Sequence, residues 1–264
     1  TQYMPPLSDP SAEEIIQRVK DAGIVGLGGA GFPTAVKIQP RTPVDTFIIN
    51  GSECEPYLTC DHRVMLEKTD EVVRGARYLA KALGVTNIMI GIELNKPDCI
   101  AAFEKYDDIK VIALRKIYPM GGEKQLIYSA TGRKVGLGKL PADVGVVVNN
   151  VATCMSVCEA IELGKPDLDS ILTVSGQSVQ RTANVLAPVG TPVSYIVEYC
   201  GGEKSAPKKV LLGGPMTGIA IKSYDLFVKK TTSGILLLSD KEAAAEEPTA
   251  CLNCGLCADH CPMH

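Results

Sequence analysis

Between residues 44 and 163 the sequence alternates short, apolar, β-branched runs with longer segments of helical periodicity, and this alternation constrains the fold most strongly. Connections of helical length between successive strands are typical of parallel sheets. We therefore predict an α/β fold with a parallel sheet and crossover helices. The predicted strands are 44–50, 87–94, 110–114 and 144–149, and the predicted helices are 61–83, 97–106, 122–131 and 151–163.

The sequence pattern changes after Lys165-Pro166, where short predicted strands are separated by glycines. Strands are predicted at 171–175, 183–185 and 210–212, with one helix at 193–200. The predicted fold class is thus a Rossmann-like parallel sheet with helices on both faces, followed by a small α+β domain. We place the first domain at 1–164, the second at 165–240, and a linker with the start of a third domain at 241–264.

Four of the ten cysteines lie within the last fourteen residues, with the spacing C-x2-C-x2-C-x3-C-P. This spacing is that of bacterial [4Fe–4S] ferredoxins, in which three closely spaced thiolates bind three corners of one cluster. A zinc site usually places its second pair of ligands about 12 or more residues away. The predicted cluster ligands are Cys251, Cys254, Cys257 and Cys261.

The fourth cysteine of such a run serves the second cluster in two-cluster ferredoxins. We therefore expect the 264 residues to be a fragment of a longer protein with a second cysteine motif, without which the cluster of this fragment lacks a ligand. The six remaining cysteines are scattered, and we interpret them as buried structural residues. They are Cys54, Cys60, Cys99, Cys154, Cys158 and Cys200.

A glycine-rich loop at residues 26–34 is the second motif with chemical meaning. Gly26, Gly28 and Gly31 spell the dinucleotide-binding pattern G-x-G-x-x-G, but a predicted helix precedes it where that pattern requires a strand. The pattern is therefore weak as a dinucleotide signature. Because these glycines and Gly29 have no side chains, the backbone of the loop can still approach a phosphate or a flavin closely. A merely structural loop is the alternative.

Polar residues follow two of the predicted strands. Asn50-Gly-Ser-Glu-Cys-Glu-Pro56 follows the first, and Asn149-Asn150 ends the fourth. The carboxyl ends of parallel strands are where α/β sheets bind ligands. Glu53 and Glu55 suit hydrogen bonds to ribityl or ribose hydroxyls or to an amide, although this motif taken alone favours a solvated turn.

Composition excludes several classes of function. A net charge of −3 provides no basic surface for nucleic acid, and no stretch approaches the ~18 apolar residues of a membrane span. No signal peptide is visible. Only three histidines are present, which makes catalysis by a Ser–His–Asp triad improbable, whereas hydride and electron transfer rely on a cofactor.

Taken together, the motifs resemble those of the C subunits of Rnf electron-transport complexes, which are related to the NADH- and FMN-binding subunit of respiratory complex I. The resemblance covers nearly all of residues 11–264, and its second domain resembles a soluble-ligand-binding β-grasp domain. The matching stretches are Gly-Gly-Ala-Gly-Phe-Pro-Thr, Ile-Ile-Asn-Gly-Ser-Glu-Cys-Glu-Pro-Tyr, Tyr-Pro-Met-Gly-Gly-Glu-Lys-Gln and Val-Asn-Asn-Val-Ala-Thr.

The resemblance implies two groups of site residues. The positions that match the flavin site are Gly26, Gly28, Gly29, Gly31, Asn50, Ser52, Glu53, Tyr118, Gly121, Asn149 and Asn150. For NADH, Phe32 matches a ring that stacks on adenine, and Lys37 matches a phosphate contact. Glu55 and Glu123 match the residues that orient the nicotinamide, and we expect them to be the catalytic residues.

The implied function is NADH oxidation, with a hydride passing to FMN and single electrons passing to [4Fe–4S] clusters, ferredoxin and the other Rnf subunits. The resemblance implies a peripheral protein held at the cytoplasmic face of the membrane by its partners. Ser52 and Gly122 depart from the complex I pattern, which has acids there, and this supports an alternative, a flavin-free electron relay. A soluble electron donor to an amino-acid reductase shares the same modules. The quinone-associated subunit of sodium-pumping NADH dehydrogenases resembles this fold but lacks the cysteine motif.

Overall fold

A computed structural model of the protein describes residues 3–29, 31–244 and 249–261, and within them two sheets share no strand. The first is a parallel sheet of four strands, in the order β3-β2-β1-β4. Its strands are β1 Thr46–Gly51, β2 Asn87–Glu93, β3 Ile109–Leu114 and β4 Val146–Asn150. This parallel sheet confirms the predicted α/β fold class.

Helices cover both faces of the parallel sheet. They are α1 Ala12–Asp21, α2 Thr34–Lys37, α3 Cys60–Glu67, α4 Thr69–Leu83, α5 Pro97–Phe103, α6 Glu123–Thr131 and α7 Val151–Glu162. On one face α1, α4, α5 and α7 bury a large apolar core, whereas α6 packs Leu126 and Ile127 against Ile48 and Val148 on the other. Burial of these apolar side chains is the main force that holds the layers together.

One predicted helix is wrong in its continuity. The sequence predicts a single helix over residues 61–83, but Lys68 leaves the helical region with φ −130° and ψ 29°, and the segment divides into α3 and α4. No glycine or proline marks this break. The two halves nevertheless pack on different neighbours, because α3 also contacts strands of the second sheet while α4 lies along α7.

The second sheet is mixed and has five strands, in the order β6-β5-β9-β7-β8. Its elements are β5 Asp169–Ser175, β6 Ala183–Pro188, α8 Val193–Tyr199, β7 Lys209–Leu212, β8 Ile219–Ile221 and β9 Gly234–Leu238. Strands β8 and β9 were not predicted, although every residue of β9 is buried. The proposed domain boundaries at 164 and 240 stay predictions.

The loop between β1 and α3 connects the two sheets. Leu58 from this loop is buried against Leu211, Leu236 and Leu238 of the second sheet. Its neighbour Thr59 donates its backbone N–H to the hydroxyl of Thr173 on β5, at 3.0 Å. The second sheet is therefore packed directly against the loop that follows β1.

The C-terminal segment carries one short helix, α9 Leu256–Asp259, preceded by Gly255 in the left-handed conformation. Half of the predicted linker 241–248, residues 245–248, lies outside the described part of the chain, as does Pro262 of the cysteine motif. The described residues 241–244 form a turn.

Candidate functional site

The strand order predicts a ligand site between β1 and β4. From β1 the chain moves outward through β2 and β3, then returns to place β4 on the other side of β1. The carboxyl ends of two strands at such a switch point form the crevice where open α/β sheets bind ligands. Asn50 and Asn150 are register partners at this point, so the two predicted asparagines lie side by side.

Both asparagines are held by hydrogen bonds. Asn50 donates Nδ2 to the carbonyl of Gly121 at 2.9 Å, and its Oδ1 accepts the backbone N–H of Ser52 at 3.2 Å. Asn150 donates Nδ2 to Oδ2 of Asp61 at 2.7 Å. The strand ends thereby fix the loops that surround the crevice.

Asn149 and Asn150 do not share a face of the sheet. Successive side chains on a strand point to opposite faces, so Asn149 lies on the face away from Asn50 and Asn150. Asn149 is buried, and its Nδ2 has no hydrogen-bond partner among the described residues. Its role as a flavin ligand stays a prediction.

The glycine loop is a compact turn beside α7. Gly26 donates its N–H to the carbonyl of Phe32 at 2.8 Å, and the carbonyl of Gly26 accepts the N–H of Gly31 at 3.1 Å. The loop is tied to α7 because Leu27 donates its N–H to the hydroxyl of Thr153 at 3.0 Å. A β-carbon on Gly28 would lie 3.4 Å from Cβ of Asn150, which places the loop directly over the end of β4.

The acidic loop after β1 directs Glu53 towards the start of α3. Its carboxylate accepts the backbone N–H groups of Asp61 at 2.7 Å and His62 at 3.1 Å. Burial, reinforced by the negative charge of Asp61, raises the pKa of Glu53 from 4.5 to about 8. Burial also raises the pKa of Asp61, while its bond from Asn150 opposes the rise. Of the two carboxyl groups, Glu53 favours its protonated form near neutral pH.

The two predicted catalytic glutamates have different partners. Glu123, the first residue of α6, forms an ion pair with Lys37 at the end of α2, with Nζ 2.6 Å from Oε1. Glu55 instead binds the second sheet, where its Oε2 accepts the N–H of Met216 at 3.0 Å and Thr217 donates its hydroxyl to Oε1. The structure therefore brings Lys37 and Glu123 together, whereas Glu55 is hydrogen-bonded to the second sheet.

The two predicted aromatic site residues are both exposed. Phe32 is 51% exposed and Tyr118 is 43% exposed, a large fraction for apolar rings. Tyr118 precedes a cis proline, Pro119, in the loop that leads to Gly121. Their rings are accessible for stacking.

A cleft of about 150 Å³ lies over the two strand ends. Its lining combines the glycine loop, the acidic loop and both asparagines with residues of the second sheet. Those from the second sheet, which the sequence did not predict, are Ser170, Ile171, Thr217, Lys230, Thr232 and Ser233. The polar run Lys229-Lys-Thr-Thr-Ser233 supplies three residues of this wall, and no motif marks it.

The residues of the cleft fit a flavin mononucleotide. A β-carbon on Gly121 would lie 3.2 Å from Cβ of Ser52 and 3.1 Å from Sγ of Cys54, so only glycine leaves this surface flat. The Ser52 hydroxyl is fully buried without a hydrogen-bond partner in the described part of the chain. Ser52 does not line the cleft, so its role as a flavin ligand stays a prediction. The amides and hydroxyls supply donors and acceptors for a ribityl chain and a phosphate.

The cysteine motif presents its thiols to solvent. Cys251, Cys254 and Cys257 are exposed and Cys261 is half-buried, whereas free cysteine is ordinarily among the most buried residue types. The other cysteines are buried, apart from half-buried Cys54. Three exposed thiols on a short loop fit three corners of one iron–sulfur cluster, and Cys261 is left for a second cluster.

Comparison with protein families matches residues 19–159, more than half of the chain, to the Nuo51 FMN-binding domain. The chain belongs to the Nuo51 FMN-binding domain family. Within this family, the matched residues contain the glycine loop, the acidic loop and both strand ends of the cleft. Residues 171–220 match the SLBB domain, which accounts for much of the second sheet.

Relatives of this Nuo51-family chain confirm the predicted resemblance. It is 44% identical over 259 residues to the C subunit of the proton-translocating ferredoxin:NAD(+) oxidoreductase complex of Clostridium ljungdahlii, covering 96% of this chain and 57% of the relative. It is 43% identical over 264 residues to the C subunit of the Na(+)-translocating complex of Acetobacterium woodii, covering 98% and 60%. The chain thus spans little more than half the length of these relatives.

Solved structures show the same fold. A chain of an NAD+-reducing [NiFe]-hydrogenase in the air-oxidized state superposes with a TM-score of 0.74 at 23% identity. The match covers 88% of this chain and 47% of the hydrogenase chain. The likeness extends across both sheets of the Nuo51-family chain.

Proposed function

We propose that this chain is the NADH-oxidising, electron-transferring part of an ion-translocating oxidoreductase. The observation that carries the proposal is the convergence of the glycine loop, the acidic loop, Asn50 and Asn150 on one cleft at the switch point of the sheet. The names of the relatives support it, because those proteins are subunits of ferredoxin:NAD(+) oxidoreductase complexes.

FMN would bind over the strand ends. The backbone of the glycine loop at 27–29 and the backbone at Gly121 would approach the ring system, while Asn50 and Asn150 would provide amides. Bound FMN supplies the conversion between hydride transfer from NADH and single-electron transfer to iron–sulfur clusters. The chain's own part is to orient the flavin and to keep Glu53 protonated beside it.

NADH would enter from the side of Phe32 and Lys37. The exposed Phe32 ring is available to stack on adenine, and Lys37 is available to pair with phosphate when it leaves Glu123. Glu123 and Glu55 then orient the nicotinamide end. Because the Lys37–Glu123 pair is only half-buried, its exchange for a ligand costs little.

Electrons would leave through clusters bound by Cys251, Cys254, Cys257 and Cys261. The proposed acceptors are ferredoxin and the other subunits of the complex, which hold this subunit at the cytoplasmic face of the membrane as a peripheral protein. In the stretches 3–29, 31–244 and 249–261, no helix has the length and apolar character that crossing a bilayer requires.

Flavin fluorescence provides the first test. We expect the full-length protein to quench FMN fluorescence on binding and to reduce ferricyanide with NADH. Glu123→Gln should retain FMN but oxidise NADH at least about tenfold less efficiently, the size of about 1.4 kcal/mol of lost transition-state binding. Glu104→Gln, which alters the exposed acid directly after α5, is the matched control.

The flavin-free relay predicts a different result. If the wild-type protein binds no FMN at saturating concentration, NADH oxidation is excluded and the relay is left. If FMN binds but Glu123→Gln and Glu104→Gln behave alike, the nicotinamide role of Glu123 is wrong.

A further inference from the structure

A loop of the second sheet binds the Glu55 carboxylate. The roles proposed above do not account for this contact. The loop joins β7 to β8 and comprises residues 213–218. Its Met216 donates a backbone N–H to Oε2 of Glu55 at 3.0 Å, and Thr217 donates its hydroxyl to Oε1. One neutral donor thus binds each carboxylate oxygen.

The loop is shaped for this carboxylate. A β-carbon on Gly214 would lie 2.1 Å from Oε2 and 2.8 Å from Cβ of Glu55, so any larger residue would displace the side chain. The carbonyl of Gly214 also accepts the N–H of Gly218 at 2.8 Å, which closes the turn. Gly213 donates its N–H to the carbonyl of Gly234 at the start of β9, also at 2.8 Å. The receiving loop is therefore anchored in its own sheet.

The backbone that carries Glu55 is anchored as well. Leu58, three residues further on, is buried in the apolar cluster of the second sheet, and Thr59 bonds to Thr173. Both Glu55 and Thr217 line the same cleft. With its backbone and its carboxylate both held, Glu55 has one orientation in the cleft before any ligand arrives.

We propose that Thr217, although it belongs to the second sheet, is the positioning residue that holds the Glu55 carboxylate in the orientation that receives the nicotinamide end of NADH. This inference rests on the proposed function. A carboxylate that is already ordered loses less rotational freedom when the dinucleotide binds, so the hydroxyl of Thr217 improves dinucleotide affinity without touching the dinucleotide. The second sheet thereby completes the dinucleotide site of the first.

The test compares Thr217→Val, which removes the hydroxyl at nearly constant shape, with Thr217→Ser, which retains it. In the full-length protein loaded with FMN, Thr217→Val should raise the KM for NADH and the Kd for NAD+ about three- to tenfold, the size expected when one more side chain must be ordered on binding. The value of kcat should change less than about twofold, and Thr217→Ser should restore wild-type values. In a Glu55→Gln background, Thr217→Val should add nothing.

The outcomes separate the proposals. If the wild-type protein binds FMN and oxidises NADH but the valine and serine variants behave alike, this inference is overturned and the proposed function stands. Equilibrium titration can also show that Thr217→Val loses FMN affinity and NAD+ affinity equally. Thr217 would then only stabilise the structure of the cleft, and the inference is overturned. A wild-type protein that binds no FMN overturns both.

Discussion

Asn150 at the end of β4 donates its side-chain amide to Asp61 on α3, with Nδ2 2.7 Å from Oδ2. The same side chain accepts the backbone N–H of Ala152 through Oδ1, also at 2.7 Å, and so caps α7. Asn150 therefore links β4, on one side of the crevice, to α3, the helix that follows β1 on the other side. The relationship depends on β4 lying beside β1.

This double role predicts a graded loss of stability. Asn150→Ala removes the cap of α7 and the bond to Asp61, and we expect it to lower the free energy of unfolding by about 2 kcal/mol. Asn150→Ser keeps a capping oxygen but cannot reach Asp61, so its loss should be about half as large. Urea unfolding measures both. An Asn150→Ser variant as stable as the wild type would show that the bond to Asp61 contributes nothing, and equal losses in the two variants would show that the cap contributes nothing.

The raised pKa of Glu53 predicts a pH-dependent stability. Burial and the Asp61 charge raise this pKa from 4.5 to about 8, so the folded protein retains a proton that the unfolded chain releases between these values. Stability from this group is therefore complete below about pH 4.5 and is lost as the pH rises towards 8. Glu53→Gln mimics the protonated side chain and should flatten this dependence in urea unfolding.

The matched control for this titration is Glu104→Gln, which alters the exposed acid directly after α5. We expect its stability to follow the wild-type pH dependence. A Glu53→Gln curve that stayed parallel to the wild-type curve from about pH 5 to about pH 8 would contradict the raised pKa.

The Lys37–Glu123 ion pair predicts a separation between stability and catalysis. The side chains are 28% and 39% exposed, so the pair contributes at most about 1 kcal/mol to folding. Lys37→Met should leave the unfolding free energy almost unchanged but raise the KM for NADH several-fold, because phosphate loses its cation. Steady-state kinetics and urea unfolding of the same preparation check this. A large loss of stability with unchanged KM would make the pair purely structural.

The two populations of cysteine predict opposite results for iron binding. Cys254→Ser should remove a cluster ligand and lower the iron and acid-labile sulfide content of the reconstituted full-length protein. Cys158→Ala should not, because Cys158 is buried in α7 and burial raises the pKa of its thiol to about 12. Retention of the full iron content in Cys254→Ser would argue against the predicted ligand set.

The sequence predicted elements best where local pattern and tertiary packing agree. The apolar run at 87–94 became β2 Asn87–Glu93, and the pattern ending at Gly84 became α4, which Gly84 closes with φ +68°. The pattern failed at Lys68, where no local signal marks the break between α3 and α4, and at β9, whose central place depends on pairing with both β5 and β7.

The residues of the candidate site also divide into those that the sequence predicted and those that it missed. The strand-end residues Asn50 and Asn150 were predicted from position alone, because the carboxyl ends of parallel strands share one edge. Thr217 and Lys230 were missed, since they come from a separate module and no motif connects them to the crevice. Glu55 was identified as a site residue, but its partners on the second sheet were not.

By itself, the sequence determined the parallel α/β architecture, the glycine and acidic loops and the spacing of the four C-terminal cysteines, because periodicity and spacing are local properties of the chain. Only the tertiary structure decided that β4 lies beside β1 and that the loop carrying Thr217 receives Glu55. These relationships arise because the strands and the loop after β1 bury their apolar side chains against partners distant in sequence, as Leu58 does against the second sheet.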